Sequence, residues 1–83
     1  MNKNILFKDA LAAVMSYLNT CQSKETAYQF LVNNLVEKFE IHFTEAERLL
    51  NLMIQYDYME RKDSFFTILI KPAAKAIEWA AAK

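Results

Sequence analysis

Apolar side chains return at helical spacing from the start of the chain. Phe7, Leu11, Val14 and Leu18 mark one line, and Leu6, Ala10, Ala13 and Tyr17 mark the stripe beside it. Together they make a face wider than a single packing seam and predict a helix over Ile5 to Asn19. Asn19 to Ser23 interrupts the pattern with side chains that bond their own backbone. Ser23 is then the expected N-cap of a second helix, Lys24 to Phe39, with Glu25 near its positive end. Tyr28, Leu31, Val32, Leu35 and Phe39 form its apolar side, and Asn33, Asn34, Glu37 and Glu40 lie off that line. Thr44-Glu45-Ala46-Glu47 has the spacing of a capping box. It predicts a third helix over Glu45 to Tyr56, with Ala46, Leu49, Leu50 and Met53 inward and Thr44, Arg48, Asn51 and Gln55 outward.

After Tyr56 the period shortens. Tyr58 to Lys62 reads as extended, and Phe65 to Ile70 is an aromatic and β-branched strand. Asp63-Ser64 between them is turn chemistry without glycine, which points to a loose turn rather than a tight primed one. Phe66, Ile68 and Ile70 would share one strand face, and Phe65, Thr67 and Leu69 the other. Both faces carry bulk, and a two-stranded hairpin can bury only one against such a core. Pro72 suits the first turn of a last helix, Pro72 to Ala82. The expected core is Leu11, Val14, Leu31, Leu35, Leu49, Leu50, Met53 and Ile68. The expected class is therefore mainly α with a small β-hairpin: three helices, a hairpin and a C-terminal helix.

Eighty-three residues suffice for one domain, residues 1–83, around one core. The apolar fraction is 54% with no glycine to count, above the ~45–50% usual for soluble domains. A chain this short buries only about 60–65% of its unfolded surface, so some apolar material is expected to meet a partner. The absence of glycine removes phosphate-cradling loops, dinucleotide fingerprints and nucleophile elbows from consideration. A single cysteine, Cys21, allows no internal disulfide, which favours a reducing cytoplasm. No apolar run reaches signal-peptide or membrane-spanning length. The abundance of Asn, Lys, Ile and Phe suggests an AT-rich bacterial or phage source.

The segment Phe43-Thr44-Glu45-Ala46-Glu47-Arg48-Leu49-Leu50-Asn51-Leu52-Met53-Ile54-Gln55-Tyr56-Asp57-Tyr58-Met59-Glu60-Arg61 resembles the recognition helix of winged-helix domains running into the first wing strand. Many bacterial members leave that helix through a Gly-Leu-Ile-x-Arg-like exit, and here Asp57 stands where glycine is usual. Leu69-Ile70-Lys71-Pro72-Ala73 is loosely similar to the family's Leu-Thr-Pro-x-Gly turn. The resemblance implies a winged-helix fold over most of the chain. A fold alone does not imply a function.

On a recognition helix, Arg48, Asn51 and Gln55 are candidates for base contact, since Arg pairs with guanine and Asn or Gln with adenine. Arg61, Lys62 and Lys71 on the wing are candidates for phosphate contact. The charge distribution opposes this. The net charge is zero, made of +2 over residues 1–24, −5 over 25–60 and +3 over 61–83, and the third helix falls in the acidic part. His42 has no ligand partners at metal spacing, and no carboxylate pair comes with a pocket, so no enzyme activity, cofactor, metal site or small-molecule substrate is expected. In the last helix Ile77 and Trp79 point about 200° apart, so one narrow face cannot bury both. With Phe7 and Leu11 on the wide face of the first helix, they are candidate residues of a dimer or partner interface, and a homodimer is expected. Two functions stay open: a dimeric DNA-binding regulator, and a protein-interaction module, such as an adaptor subunit or a phage-type inhibitor, that does not bind DNA.

Overall fold

The computed structural model describes residues 5–82; Lys3 and Lys83, counted in the charge balance, lie outside them. Helix α1 spans Phe7–Asn19 and buries Ala10, Leu11, Ala13, Val14, Met15 and Leu18. It begins two residues later than the periodicity predicts, with Leu6 as an exposed N-cap that offers no side-chain hydrogen bond. Its C-terminus is closed by Thr20, whose hydroxyl donates to the Tyr17 carbonyl at 2.7 Å.

The second helix departs most from expectation. Residues Gln22–Lys24 form a short 3-10 turn in which Ser23 and Lys24 take left-handed φ values of 59° and 53°. Ser23 is therefore not a cap, and Glu25 lies outside any helix. Thr26–Ala27 instead form a two-residue strand, β1, and α2 spans Tyr28–Phe39 with Ala27 at its N-cap. Leu31, Val32 and Leu35 are buried, as the spacing requires, while Tyr28 and Phe39 pack at the edge of the core.

Helix α3 spans Phe43–Gln55. The capping box is displaced: His42 is the N-cap, and its Nδ1 accepts from the Thr44 backbone N–H at 3.1 Å. The inward set Ala46, Leu49, Leu50 and Met53 is buried as expected. The helix ends in a Schellman arrangement. The Tyr58 N–H donates to the Met53 carbonyl at 2.8 Å and the Asp57 N–H to Ile54 at 3.1 Å, with Asp57 at φ 67°. This left-handed position is filled by an aspartate, a residue that tolerates it better than most.

Strands β2, Met59–Asp63, and β3, Ile68–Pro72, make the hairpin. The sheet order is β1-β3-β2, all antiparallel, with Thr26 opposite Ile70 and Met59 opposite Pro72. Phe65 and Phe66 belong to the turn rather than to the strand. The Ser64 N–H donates to the Thr67 carbonyl at 2.7 Å, which closes a loose turn of the predicted kind. Ile70 is the buried residue of β3, and Ile68 only borders the core. Pro72 ends β3, leaving α4 to span Ala74–Ala81 with Ala73 as N-cap. The class is as expected, mainly helical with a small hairpin, plus a first strand the pattern did not reveal.

The candidate interface on the wing and third helix

Along the outer side of α3, Arg48, Asn51 and Gln55 are exposed. Two of the three are already engaged. Arg48 holds Glu45 through two hydrogen bonds of 2.8 Å, one from Nε and one from a terminal nitrogen. This fork-to-carboxylate contact lowers the Glu45 pKa, chiefly through the hydrogen bond, and raises that of Arg48. Asn51 Oδ1 accepts from the Tyr28 hydroxyl at 3.0 Å. Burial, with help from the nearby Glu47 charge, pushes the Tyr28 phenol above its ordinary value of 10.0.

The wing cations are paired in the same manner. Arg61 Nε donates to Asp63 at 3.1 Å on its own strand, and Lys71 faces Glu60 at 3.7 Å across the ladder. These two side chains are directly opposed in register, Glu60 against Lys71. Lys62 has no ion-pair partner among the described residues. Glu45, Glu47 and Arg48 on α3, with Glu60, Arg61, Lys62, Asp63 and Lys71 on the hairpin, cancel to no net charge. A face that neutralises phosphates needs an excess of Lys and Arg.

The two strands of the hairpin are anchored unequally: β3 pairs with β1 and Ile68 borders the core, whereas β2 is held only at its base. Met59 is the one buried residue of β2, and the rest of that strand is exposed. At the far end Phe65 and Phe66 are 90% and 89% exposed, their rings 4.7 Å apart and tilted by 45°. They rest on each other and not on the core.

Around the wing base, Tyr58 joins three elements. Its ring packs against Phe7 at 5.6 Å, its carbonyl accepts from the Ala73 N–H at 2.9 Å, and Lys75 Nζ lies 4.5 Å from its ring centre. Lys75 also donates to the Tyr56 carbonyl at 3.0 Å, capping the end of α3. Sequence reasoning missed Lys75, because its target is distant in sequence and no local spacing announces it.

The candidate interface residues separate. Leu11 is 1% exposed within the chain's own core and cannot also offer a surface. Phe7 and Trp79 pack partly against that core, and Ile77 is 50% exposed. The opposition between Ile77 and Trp79 is therefore resolved with Trp79 turned toward the domain. Among the described residues no three of His, Cys, Asp and Glu gather as a metal site would, and no helix is long and apolar enough to cross a membrane. Compared with described protein families, curated proteins and solved structures, the chain matches none of them.

Proposed function

We propose that this chain is a non-enzymatic protein-interaction module of winged-helix type, with the wing tip as its principal contact. The observation that carries this is the Phe65–Phe66 pair, standing in solvent at the tip of the hairpin beyond the core-bordering Ile68. Aromatic side chains bring large apolar area to an interface and are frequent anchors there. The pairing of Arg48, Arg61 and Lys71 with carboxylates supports the same reading, since a phosphate would have to displace those partners. A second copy is a further partner in this reading. It would use Ile77, half exposed on α4, and Leu6, exposed before α1, rather than Leu11 and Trp79.

The DNA-binding regulator is the second reading. It is favoured by the exposure of Arg48, Asn51 and Gln55 along one side of α3 and by Lys62, which has no ion-pair partner among the described residues. A salt-titrated gel shift on random duplex separates the two. The interaction module gives no shift even at low salt. A shift that weakens uniformly in Arg61→Ala and Lys62→Ala, each flattening the salt dependence by about one unit, would establish the regulator instead. Light scattering at micromolar protein tests the second copy. It should report twice 9.7 kDa, falling to one chain in Ile77→Glu.

A further inference from the structure

The outer edge of the sheet has no neighbour. The strand order is β1-β3-β2, and among the described residues β2 pairs only with β3. One side of the β2 backbone therefore faces solvent, and after Met59 every side chain of the strand is exposed. A free edge is a template for another strand, and proteins defend such edges with charge. A run of like charges would repel a second copy of itself. The charges here alternate in sign instead: Glu60 negative, Arg61 and Lys62 positive, Asp63 negative.

That order is its own complement. Residues directly opposite in an antiparallel pair are of one kind, either bonded to each other or not. Two copies of β2 joined edge to edge therefore place their two-fold axis at a residue, not between two. With the axis at Arg61 all five residues of the strand are opposed. Met59 meets Asp63, Glu60 meets Lys62, and Arg61 meets itself. One face of the sheet then carries two Glu60–Lys62 pairs, which supply the ion-pair partner that Lys62 lacks among the described residues. Glu60 already borders Lys71 of its own chain at 3.7 Å. A row of alternating charge, Lys71, Glu60 and Lys62 of the second copy, would cross the seam. On the other face the two Arg61 side chains meet as ion pairs and not as bare cations, since each is held by its own Asp63 at 3.1 Å. Each Asp63 also lies diagonal to the Arg61 of the other copy, within reach of long side chains. An axis at Glu60 or Lys62 opposes that residue to itself, loses the Glu60–Lys62 pairs and leaves part of each strand without a strand beside it.

We propose that the free edge of β2 receives β2 of a second copy, antiparallel and centred on Arg61, so that the two sheets become one. Five residues a side fall well short of the roughly 20–30 a side of a stable interface. The contact is therefore a weak one, formed near millimolar protein or where chains are already gathered. It uses a different surface from Ile77 and Leu6, and it does not depend on what the wing tip meets. A chain with two such self-complementary surfaces assembles into closed tetramers or open filaments when both are occupied.

The test is a cross-link on the intact chain, in a Cys21→Ser background that leaves no other thiol. Arg61→Cys puts a thiol on the axis, opposite its own copy and within disulfide reach. Asp63→Cys breaks the same Arg61–Asp63 pair but leaves the two thiols about 13 Å apart, beyond that reach. In a glutathione redox buffer at near-millimolar protein, Arg61→Cys should form at least roughly tenfold more disulfide-linked dimer than Asp63→Cys. Adding Lys62→Glu makes both attractive pairs repulsive and should lower that dimer about tenfold. Lys62 is exposed, so the fold is kept, and thermal melts of each variant check this. Equal cross-linking at the two positions would overturn the proposal. So would an Arg61→Cys dimer undiminished by Lys62→Glu. Ile77→Glu, which removes the α4 contact, should keep the preference for Arg61→Cys over Asp63→Cys. Loss of the preference in that variant would assign the cross-link to α4 and overturn the pairing of β2.

Discussion

Leu50 on α3 and Phe66 on the wing are both large apolar side chains, yet the first is fully buried and the second almost wholly exposed. The difference lies in how each element meets the core. A helix packed along its length returns a side chain to the same face every three or four residues, so Ala46, Leu49, Leu50 and Met53 all go inward. The hairpin meets the core through one strand and the base of the other. Met59 and Ile70 are buried, Ile68 borders the core, and the outer part of β2 and the turn leave the body of the domain. Hydrophobicity sets what a side chain gains from burial. Reach from the core decides whether burial is available within one chain.

That contrast is sharpest in stability. Leu50→Ala and Ile70→Ala should each cost about 2–5 kcal/mol, read from urea denaturation. Phe65→Ser with Phe66→Ser should leave the midpoint within about 0.5 kcal/mol of the parent. A large loss in the double variant would mean that the tip is packed in solution, and the wing would lose its standing as a docking element.

Next in size are the left-handed positions. With no glycine in the chain, Ser23, Lys24, Glu40 and Asp57 all carry positive φ. A side chain there costs roughly 1–2 kcal/mol, partly offset in a glycine variant by the greater freedom of its unfolded state. Glu40→Gly, at the end of α2, should therefore raise stability by about 0.5–1 kcal/mol, and Asp57→Gly by less because Asp tolerates this region. Thermal melts of the two variants check the order.

A smaller effect appears at high pH. The raised pKa of Tyr28 means that its neutral, donating form is favoured in the folded state. The resulting stability is complete below the unfolded phenol value and is lost as pH rises through the folded one. Ultraviolet titration should show a tyrosine ionising above the ordinary phenol value, and Tyr28→Phe should remove that step.

The smallest effect belongs to Glu45. Its lowered pKa contributes stability above the unfolded carboxylate value, lost as pH falls through the folded one. The pair is exposed, so the change is slight and screened by salt. Denaturation at neutral and acid pH, compared between the parent and Arg48→Gln, should show a pH dependence that the variant lacks.

Part of the candidate site was legible in the chain. Arg48 and Arg61 were legible as exposed cations, candidates for base and phosphate contact, but their pairing with Glu45 and with Asp63, which the pattern put in the turn, came from the structure. The Glu60–Lys71 pair was not legible, because it depends on the register of the ladder. Strand β1 was hidden for a related reason. Two residues carry no periodicity, and Thr26–Ala27 are extended because Ile70 and Leu69 lie alongside. The N-cap of α3 moved from Thr44 to His42 because an imidazole nitrogen was placed to accept the same kind of backbone donor.

The sequence by itself determined the four helices, the hairpin and the buried face of α3, since these follow from local periodicity and need no knowledge of distant neighbours. Tertiary structure alone decided that Trp79 turns toward the domain and Ile77 away, that Ile70 rather than Ile68 is the buried residue of β3, and that Phe65 and Phe66 stand clear of the core. Each of these depends on which element lies opposite, and burial is a property of the assembled surfaces rather than of the residue.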